Sequence, residues 1–490
     1  MATVELPIAN GFYRSLSLPV SAQDCINFYP VIPEAPALTQ GALFSTPGLD
    51  QLATSGDVKQ ANRGAHNKAG VPYFVNGDGL YRLNQTIDGE GAETFDLELL
   101  GKIEGEGAVS IADNGTQMLV LVPGGKGYIW NEDDGTPFQE ITDPDFLANG
   151  NPQYVVYIDG FFVVTTDTKK FIVSAINDGL NWNALDFGSA EADPDPIVAP
   201  IVFKNQLFIG GTQTIEAFQN VGGVDFPFVR TGLMIQKGIF SANSIINGSN
   251  TFAFLGAGIR EAASIYAFAG NDVQKISTDA IDSILHNQSI DDLRSMTSWT
   301  YALDGAFFIG FRLPSTTLVF DTTAGRWHER KSQITDELNV TSITGLRITR
   351  VIAGYGRLLV GDAVDGRVGS LLEETQTEYG RNIIRRFTTQ PFFNNNKSIS
   401  VPELEMTLES GIEPVIGNNP QVRMARSKDG GRTFNDERQR SMGKTGEYNR
   451  RAIWRRNGRV GRFECFRFSV SDPVRHAMIT MTANIQSGVI

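Results

Sequence analysis

The sequence predicts a mainly β protein with a β-propeller-like repeat body of about seven hairpin units and a C-terminal antiparallel β-domain. Three observations predict this fold class. An apolar hairpin recurs along most of the chain, the 51 glycines suit tight turns between short strands, and the repeat stops near Glu374. We therefore expect an N-terminal arm with the first strands over 1–45, the propeller-like body over 46–384 and the C-terminal domain over 385–490.

The repeating unit is an apolar strand that ends in small or turn residues and is followed by a second strand rich in Leu, Ile, Tyr or Phe. The seven units begin at Tyr73, Met118, Phe161, Leu207, Phe252, Phe307 and Leu358. Their starts are 45, 43, 46, 45, 55 and 51 residues apart, and a four-stranded propeller blade takes roughly 40–50 residues. Because both faces of these strands are apolar, neighbouring sheets must cover them; a β-sandwich array is the structural alternative.

Helical signals are few. Asp279–His286 has apolar residues at helical spacing after an acidic start and predicts one short helix, and 291–296 predicts a second helical turn. After the repeats, apolar and polar residues alternate over 401–408, and 477–485 predicts a last strand. These strands make up the predicted C-terminal domain.

The charge distribution is uneven. The chain carries a net charge of −13, yet its window 421–467 holds fourteen Lys or Arg and five Asp or Glu, a net +9 that leaves −22 elsewhere. An acidic body with a basic end implies different partners for the two ends. The alternative is a basic face that is merely solvated.

Targeting and redox signals are absent from the sequence. No stretch approaches the about 20 apolar residues of a membrane-spanning helix, and the N-terminus lacks the basic and apolar regions of a secretory signal. Cys25 and Cys465 are far apart, which favours two reduced, buried thiols over a bridge. We expect assembly in a reducing cytoplasm.

Patterns that carry catalysis or metal binding are also missing. The histidines are isolated from one another and from the cysteines, so their spacing indicates no metal site; they are His66, His286, His328 and His476. No nucleophile elbow, phosphate-binding loop or dinucleotide fingerprint occurs. We expect no enzyme activity, no catalytic residue, no cofactor and no metal ion.

One motif in the basic window resembles the Asp-box of sialidases and related propellers, Ser-x-Asp-x-Gly-x-Thr-Trp. Here it reads Ser-Lys-Asp-Gly-Gly-Arg-Thr-Phe over 427–434. We expect Ser427 and Asp429 to form a capped turn, Gly431 to take positive φ and Phe434 to pack inward. The box is a folding element, so a sialidase-like glycoside hydrolase is the more remote functional alternative.

Several segments between about residue 15 and residue 485 carry a family resemblance. They are SAQDCINFYP at 21–30, TPGL at 46–49, DGLNW at 178–182, FIGG and IEAF within 208–218, LMIQKGI at 233–239, SKDGG at 427–431 and RAIWRRNGRV at 451–460. In this order and spacing they resemble the packaged-DNA stabilisation proteins, the tail accessory hub or nozzle of short-tailed, podovirus-type phages.

The resemblance implies a structural virion protein that extends the DNA channel of the portal and its adaptor ring, helps to retain the packaged genome and conducts it at ejection. It implies a homo-hexamer that contacts the adaptor ring, a tail needle or plug, and tailspikes or fibres. Double-stranded DNA would pass through the lumen without sequence-specific binding. The protein would be located in the virion tail after assembly in the host cytoplasm.

The charge distribution is consistent with that role, because acidic walls repel DNA phosphates while a basic end can bind an acidic ring. Four arginines are expected at a ring–ring interface: Arg451, Arg455, Arg456 and Arg459. The alternative is pairing inside the domain with Glu437, Glu447 and Glu464.

A receptor- or glycan-binding β-propeller is the functional alternative. Such a protein should show aromatic loop residues at a repeated position in each blade. The exposed-looking candidates, Trp182, Trp299 and Trp327, fall in different blades without a repeated position.

Overall fold

A computed structural model describes residues 2–56, 60–190, 195–223, 226–335, 338–392, 399–412, 417–460 and 463–487. Strands make up 57% of the structure and helices 4%. The predicted fold class, a propeller body followed by a C-terminal β-domain, is confirmed.

Seven antiparallel sheets follow one another along the chain and form the blades of the propeller. Blade 1 contains the strands Asn62–Lys68, Val71–Asn76, Gly79–Ile87 and Glu93–Lys102. Blade 2 contains Ser110–Asp113, Met118–Val122, Lys126–Trp130 and Phe138–Glu140. Blade 3 contains Pro152–Ile158, Phe161–Thr166, Lys170–Ala175 and Asp178–Ser189. Blade 4 contains Ile197–Phe203, Gln206–Gly211, Ile215–Asn220 and Phe228–Ile235. Blade 5 contains Gly238–Ile239, Ile246–Asn247, Phe252–Ala257, Ser264–Ala269 and Asp272–Lys275. Blade 6 contains Thr297–Leu303, Ala306–Arg312, Thr317–Asp321 and Arg326–Thr335, and blade 7 contains Ile348–Gly354, Arg357–Asp362 and Arg367–Leu372.

Each of the seven predicted hairpins forms two adjacent inner strands of one blade. Apolar clusters lie between neighbouring blades; Leu119 and Ile129 of blade 2, for example, pack with Phe162 and Ile172 of blade 3. The innermost strands of neighbouring blades lie side by side around a common axis, and Ile246–Asn247 takes this position in blade 5. Burial on both faces explains why the hairpin strands are apolar throughout.

The ring is closed by a strand from the N-terminal part of the chain. Gly48–Thr54 pairs antiparallel with Arg367–Leu372 and becomes the fourth main strand of blade 7. Two short strands, Thr377–Glu378 and Arg381–Asn382, extend that sheet. The propeller therefore depends on contacts between residues more than 300 positions apart.

The two helices lie between blades 5 and 6. They span Asp279–His286 and Ile290–Arg294, and Thr278 and Ser289 cap their N-termini with side-chain oxygens. Short 3₁₀ turns occur at Pro144–Phe146 and Ala242–Ser244. The predicted helix coincides with the first of these helices, and the predicted helical turn overlaps the second.

The C-terminal domain is a β-sandwich that incorporates N-terminal strands. One sheet contains Ala452–Arg455, Ile399–Leu408, Ala477–Ser487, Ala42–Ser45 and Phe28–Val31, with Ala2–Leu6 and Arg459–Val460 at its sides. The other continues from blade 6 through Cys25–Ile26, Arg385–Thr388, Cys465–Val470, Gln421–Ser427 and Asn435–Ser441. Thr341–Gly345 pairs with the end of the last strand of blade 6, and Tyr13–Arg14 pairs with Ala22–Gln23.

The continuous sheet joins the propeller to the sandwich through backbone hydrogen bonding. Cys25–Ile26 bridges the last strand of blade 6 and Arg385–Thr388. The division of the chain at 45/46 and 384/385 stays a prediction; in the structure, the strands before residue 46 pair mainly with strands of the C-terminal domain.

Candidate assembly surfaces

The four arginines predicted at a ring–ring interface lie along one segment at the edge of the sandwich. Arg451 pairs with Glu405 at 2.5 Å and Arg455 pairs with Glu403 at 2.9 Å, across the strands Ala452–Arg455 and Ile399–Leu408. The Arg451 guanidinium holds the pKa of Glu405 below its ordinary value. The side chains of Arg451 and Arg455 are nevertheless 62% and 70% exposed.

Arg456 lies in the adjoining turn and Arg459 begins the short strand Arg459–Val460, and both residues are exposed. Arg456 takes a positive φ of 59°. Exposed ion pairs contribute only about 0–1 kcal/mol, so the pairs of Arg451 and Arg455 do not prevent these cations from meeting a partner. The assignment of the four arginines to an interface stays a prediction.

The acids considered as alternative partners lie elsewhere. Glu464 is buried and pairs with Arg426, while Glu437 is near Arg423. Glu447 accepts a hydrogen bond from the backbone of Lys444. Glu403 and Glu405 were not predicted from the sequence as the partners of Arg455 and Arg451. Their alternation along one strand is the signal that could have indicated them.

Further cations of the basic window are exposed. They are Lys428, Arg432, Lys444 and Arg450. Arg438 and Arg440 instead donate to the backbone carbonyl groups of Arg455 and Ile453, which fastens the two sheets together. Arg462, also part of the basic window, lies outside the described residues. The basic window is therefore divided between exposed charges and structural ones.

The Asp-box segment forms a capped turn beside the N-terminal arm. The Asp429 carboxylate accepts hydrogen bonds from the Ser427 hydroxyl at 2.7 Å and from the Thr433 hydroxyl at 2.6 Å. Gly431 has φ +93°, and a Cβ there would lie 2.5 Å from the Cβ of Ala22. The bonds from Thr433 and Ser427 hold the pKa of Asp429 well below its ordinary value.

Phe434, the last residue of the box, does not enter the core. Its ring is half-buried, and the Arg467 guanidinium lies 3.5 Å from the ring centroid. The position is therefore filled by a cation–π contact at the surface instead of a core aromatic contact. Ser427, by contrast, is fully buried and accepts a hydrogen bond from the backbone N–H of Gly431 at 2.8 Å.

Replacement of Asp429 by alanine is expected to lower the melting temperature by about 2–4 °C, because it removes a cap that several donors share. The folded-state pKa lies below the unfolded value of about 3.9, so this stabilisation is present above that pH and is lost as the pH falls through the folded value. Calorimetry of the variant and the wild type between pH 7 and about pH 2 measures the difference. Asp133→Ala, an exposed acid of blade 2, is the control; equal losses in both variants would contradict the capping role.

Buried charges connect the sandwich to blades 6 and 7. Arg385 donates to the side chain of Gln376 at 2.7 Å, and Arg330 donates to the carbonyl oxygen of Pro47 at 2.8 Å. Burial lowers the pKa of Arg385 to about 9 and raises the pKa of the buried Glu378. These groups hold together segments from three parts of the chain.

The two buried histidines lie in the same region. Burial lowers the pKa of His328 to about 3, and it lowers the pKa of His476 well below its ordinary value. Both rings pack against aromatic side chains, Phe308 beside His328 and Phe28 beside His476. Among the described residues, no group of His, Cys, Asp and Glu is arranged to hold a metal ion.

A cavity of about 420 Å³ lies on the propeller axis. It is lined by the first strands of blades 1 to 4, by the start of blade 5 and by Arg350 of blade 7. The Arg350 guanidinium donates to the carbonyl oxygen of Ser298 at 2.7 Å and to that of Asn243 at 3.3 Å. These bonds tie blades 5, 6 and 7 together, and no sequence motif indicated them.

Comparison with known families gives two matches that together span nearly the whole chain. The family described as "Bacteriophage P22 Gp10, beta-propeller" matches residues 4–376, and the one described as "Bacteriophage P22 Gp10, beta-sandwich" matches residues 384–486. The fold and the matches thus define a propeller–sandwich protein of bacteriophage particles. The chain belongs to the bacteriophage P22 Gp10 family.

A curated relative is the "Tail hub protein gp10" of Salmonella phage P22, 22% identical over 96% of this chain and 97% of the relative. Among solved structures, the extracellular domain of a one-component system from B. thetaiotaomicron is 10% identical with a TM-score of 0.40, over 84% of this chain and 48% of that one. The WD40 β-propeller domain of Doa1 is 12% identical with a TM-score of 0.39, over 67% of this chain and 98% of that one.

No helix within the described part of the chain is long and apolar enough to cross a membrane.

Proposed function

We propose that this chain is the hub of a short phage tail, a structural virion component that continues the channel of the portal and its adaptor ring. The observation that carries the proposal is the match to tail hub families over both domains, together with a relative named as a tail hub that aligns over 96% of the chain. In this role the protein retains packaged DNA, conducts it at ejection and catalyses no reaction.

The channel for DNA is formed between copies of the chain. The axial cavity of one propeller holds only about 420 Å³, and it is lined by Arg350, which is bonded to residues of blades 5 and 6. This volume is that of a small-molecule pocket, so a DNA duplex cannot pass along the axis. A ring of subunits, which we propose to be a hexamer, provides the lumen.

The outer edge of blades 1 and 2 is the proposed lumen wall. Glu98 and Glu132 share the single cation Arg82, and Glu104 and Glu140 share Lys126. Further exposed acids on the same strands and turns include Asp88, Glu90, Asp96, Glu106 and Asp133. Excess negative charge repels DNA phosphates, so a duplex can slide along this surface without binding tightly.

The basic edge of the sandwich is the proposed contact with the adaptor ring. Arg451, Arg455, Arg456 and Arg459 project from one continuous segment, and the first two remain more than half exposed despite their ion pairs. Electrostatic complementarity of this kind mainly accelerates association and fixes orientation. The tail needle or plug and the tailspikes or fibres contact other surfaces of the ring. The ring assembles in the host cytoplasm.

Reversal of two of these charges, Arg456→Glu with Arg459→Glu, is expected to weaken docking onto the purified adaptor ring at least about tenfold at low salt, because like charges then face each other. Arg260→Glu with Lys204→Glu, at two exposed positions of the propeller, is the control for an equal change of net charge. Surface-based binding kinetics at two ionic strengths provide the measurement. Docking unchanged by the double reversal would rule out this face as the contact.

The hub assignment itself is tested with particles assembled without this chain. We expect such particles to package DNA and then lose it, so that a nuclease added to the medium digests most of the genome. Particles complemented with the wild-type chain should protect it. Full retention of the genome in the absence of the chain would contradict the proposed function.

A further inference from the structure

The axial cavity contains a cation without an acidic partner. Among the described residues, no carboxylate pairs with Arg350, and its hydrogen bonds go to two backbone carbonyl oxygens and to the side-chain oxygen of Asn243 at 3.3 Å. Burial lowers the pKa of Arg350 to about 10, and the charge of the Tyr154 phenolate opposes this shift. The guanidinium therefore stays charged at neutral pH in a partly desolvated place.

These contacts leave part of the guanidinium unsatisfied. An arginine has five N–H donors, and the bonds to Ser298 and Asn243 involve only its two terminal nitrogens. No described acceptor bonds to Nε, and the residue lines the cavity. A ligand that enters the cavity therefore meets at least one free donor of a fixed cation.

The cavity has the dimensions and the polarity of a small-molecule site. Its volume of about 420 Å³ lies within the about 300–1,000 Å³ of typical ligand pockets. Tyr154 and Asn243 border it beside Arg350, and His66 lies on the blade 1 side, where its ring is bonded to Asp113 at 2.5 Å. Among the described residues, no carboxylate lines the cavity, and Asp113 is already paired with His66.

We propose that the propeller axis binds a small oxyanion, a carboxylate or a phosphate group, on Arg350. Charge-assisted hydrogen bonds from guanidinium to oxyanions are about twice as strong as neutral ones, and the partly desolvated setting strengthens them. Tyr154 borders the same cavity, and its phenol can supply a further O–H donor. The site is separate from the acidic and basic surfaces that the assembly uses, so it does not depend on the proposed tail role.

The alternative is that Arg350 only ties blades 5, 6 and 7 together. Phosphate and similar anions also stabilise proteins slightly without binding, because they are excluded from the surface. A purely structural Arg350 therefore predicts the same salt response in the wild type and in Arg350→Gln. The ligand response therefore separates the two roles, whereas the stability of an Arg350 variant alone does not.

The test is the melting temperature of the full chain in sodium malonate, sodium phosphate and sodium chloride at matched ionic strength. We expect malonate, phosphate or both to raise the melting temperature of the wild type by about 2–4 °C over chloride at tens of millimolar. Arg350→Gln should abolish the rise. Arg312→Gln should keep it, because Arg312 is a partly buried arginine that donates to the carbonyl oxygen of Leu346 outside the cavity.

The pattern of responses identifies the source of the group. A rise with malonate alone assigns a carboxylate, a rise with phosphate alone assigns a phosphate, and a rise with both assigns a general oxyanion site. If Arg350→Gln does not fold, hydrogen exchange of the wild type decides, with slower exchange expected at Pro152–Ile158 and Ile348–Gly354 in the presence of the active anion. Equal behaviour in all three salts by both measurements would overturn the proposal.

Discussion

Replacement of Gly48 by alanine is expected to open the propeller and to lower the free energy of unfolding by about 3 kcal/mol, the upper end of the usual range for an overpacked site. A Cβ at this position would lie less than 3.0 Å from the backbone carbonyl oxygens of Thr375 and Thr377. Neither backbone group can move easily, because Gly48 also donates a hydrogen bond to Thr375 at 2.7 Å and pairs with Leu372. The methyl group therefore displaces the strand that closes blade 7.

Chemical unfolding monitored by circular dichroism measures this loss, and hydrogen exchange locates it. We expect fast exchange in Gly48–Thr54 and in its partner strand Arg367–Leu372. Gly89→Ala is the matched control, since Gly89 lies in a turn where an added methyl group would meet open space, and its φ is not positive. Equal stability of the two variants would show that the N-terminal strand does not close the ring.

Replacement of Arg347 by alanine is expected to cost about 3–5 kcal/mol, the usual effect of removing one partner of a buried ion pair. Arg347 bonds to Asp362 at 2.5 Å and to Asp365 at 3.1 Å, and all three side chains are less than one-tenth exposed. Without the guanidinium, the Asp362 carboxylate is left uncompensated within blade 7. Thermal and chemical unfolding at neutral pH measure the change.

The pH dependence of this variant has a defined sign. Burial already raises the pKa of Asp362 in the presence of Arg347, and removal of the cation raises it further. A group whose folded-state pKa is raised contributes stability below its unfolded pKa and loses it as the pH rises. The difference in unfolding free energy between the wild type and Arg347→Ala should therefore decrease towards pH 4 and increase towards neutral pH.

Arg357→Ala is the matched control in the same blade. Arg357 pairs with Glu93 of blade 1, but both side chains are about one-third exposed, so the expected loss is less than about 1 kcal/mol. A loss for Arg347→Ala as small as this one would contradict the structural role of the buried pair.

The repeat was predictable because its physical cause lies within each blade. Every hairpin is covered by a blade on each side, so its apolar residues mark it wherever it occurs along the chain. The two long separations, 55 and 51 residues, also have local causes: the helices Asp279–His286 and Ile290–Arg294 in the first, and the added strand Thr341–Gly345 in the second. The capped turn at Asp429 is equally local, since the side-chain hydrogen bonds of Asp429 lie within 427–433.

Long-range pairing was not predictable in the same way. Nothing in Gly48–Thr54 indicates that it pairs with Arg367–Leu372, and nothing in Ala2–Leu6 indicates that it pairs with Ala477–Ser487. Strand patterns state which face is buried but leave the partner open. The role of Arg350 on the propeller axis could not be predicted for the same reason, because its hydrogen-bond partners belong to blades 5 and 6.

The sequence suggested three exposed tryptophans as candidate ligand contacts, and their predicted exposure was wrong. Trp182, Trp299 and Trp327 are all buried in the structure. The indole N–H of Trp182 donates to the carbonyl oxygen of Gly179, and that of Trp327 donates to Ile276. All three are core residues, so they do not form a glycan-binding surface.

The most direct test of the hub proposal is a cryo-electron microscopy reconstruction of the tail in intact particles. We predict a ring of six copies below the adaptor, with the duplex in the lumen between the copies and no DNA along any propeller axis. We also predict that the basic edge of the sandwich, 451–459, faces the adaptor. Density for this chain only at the tips of fibres, or absent from the tail axis, would contradict the account.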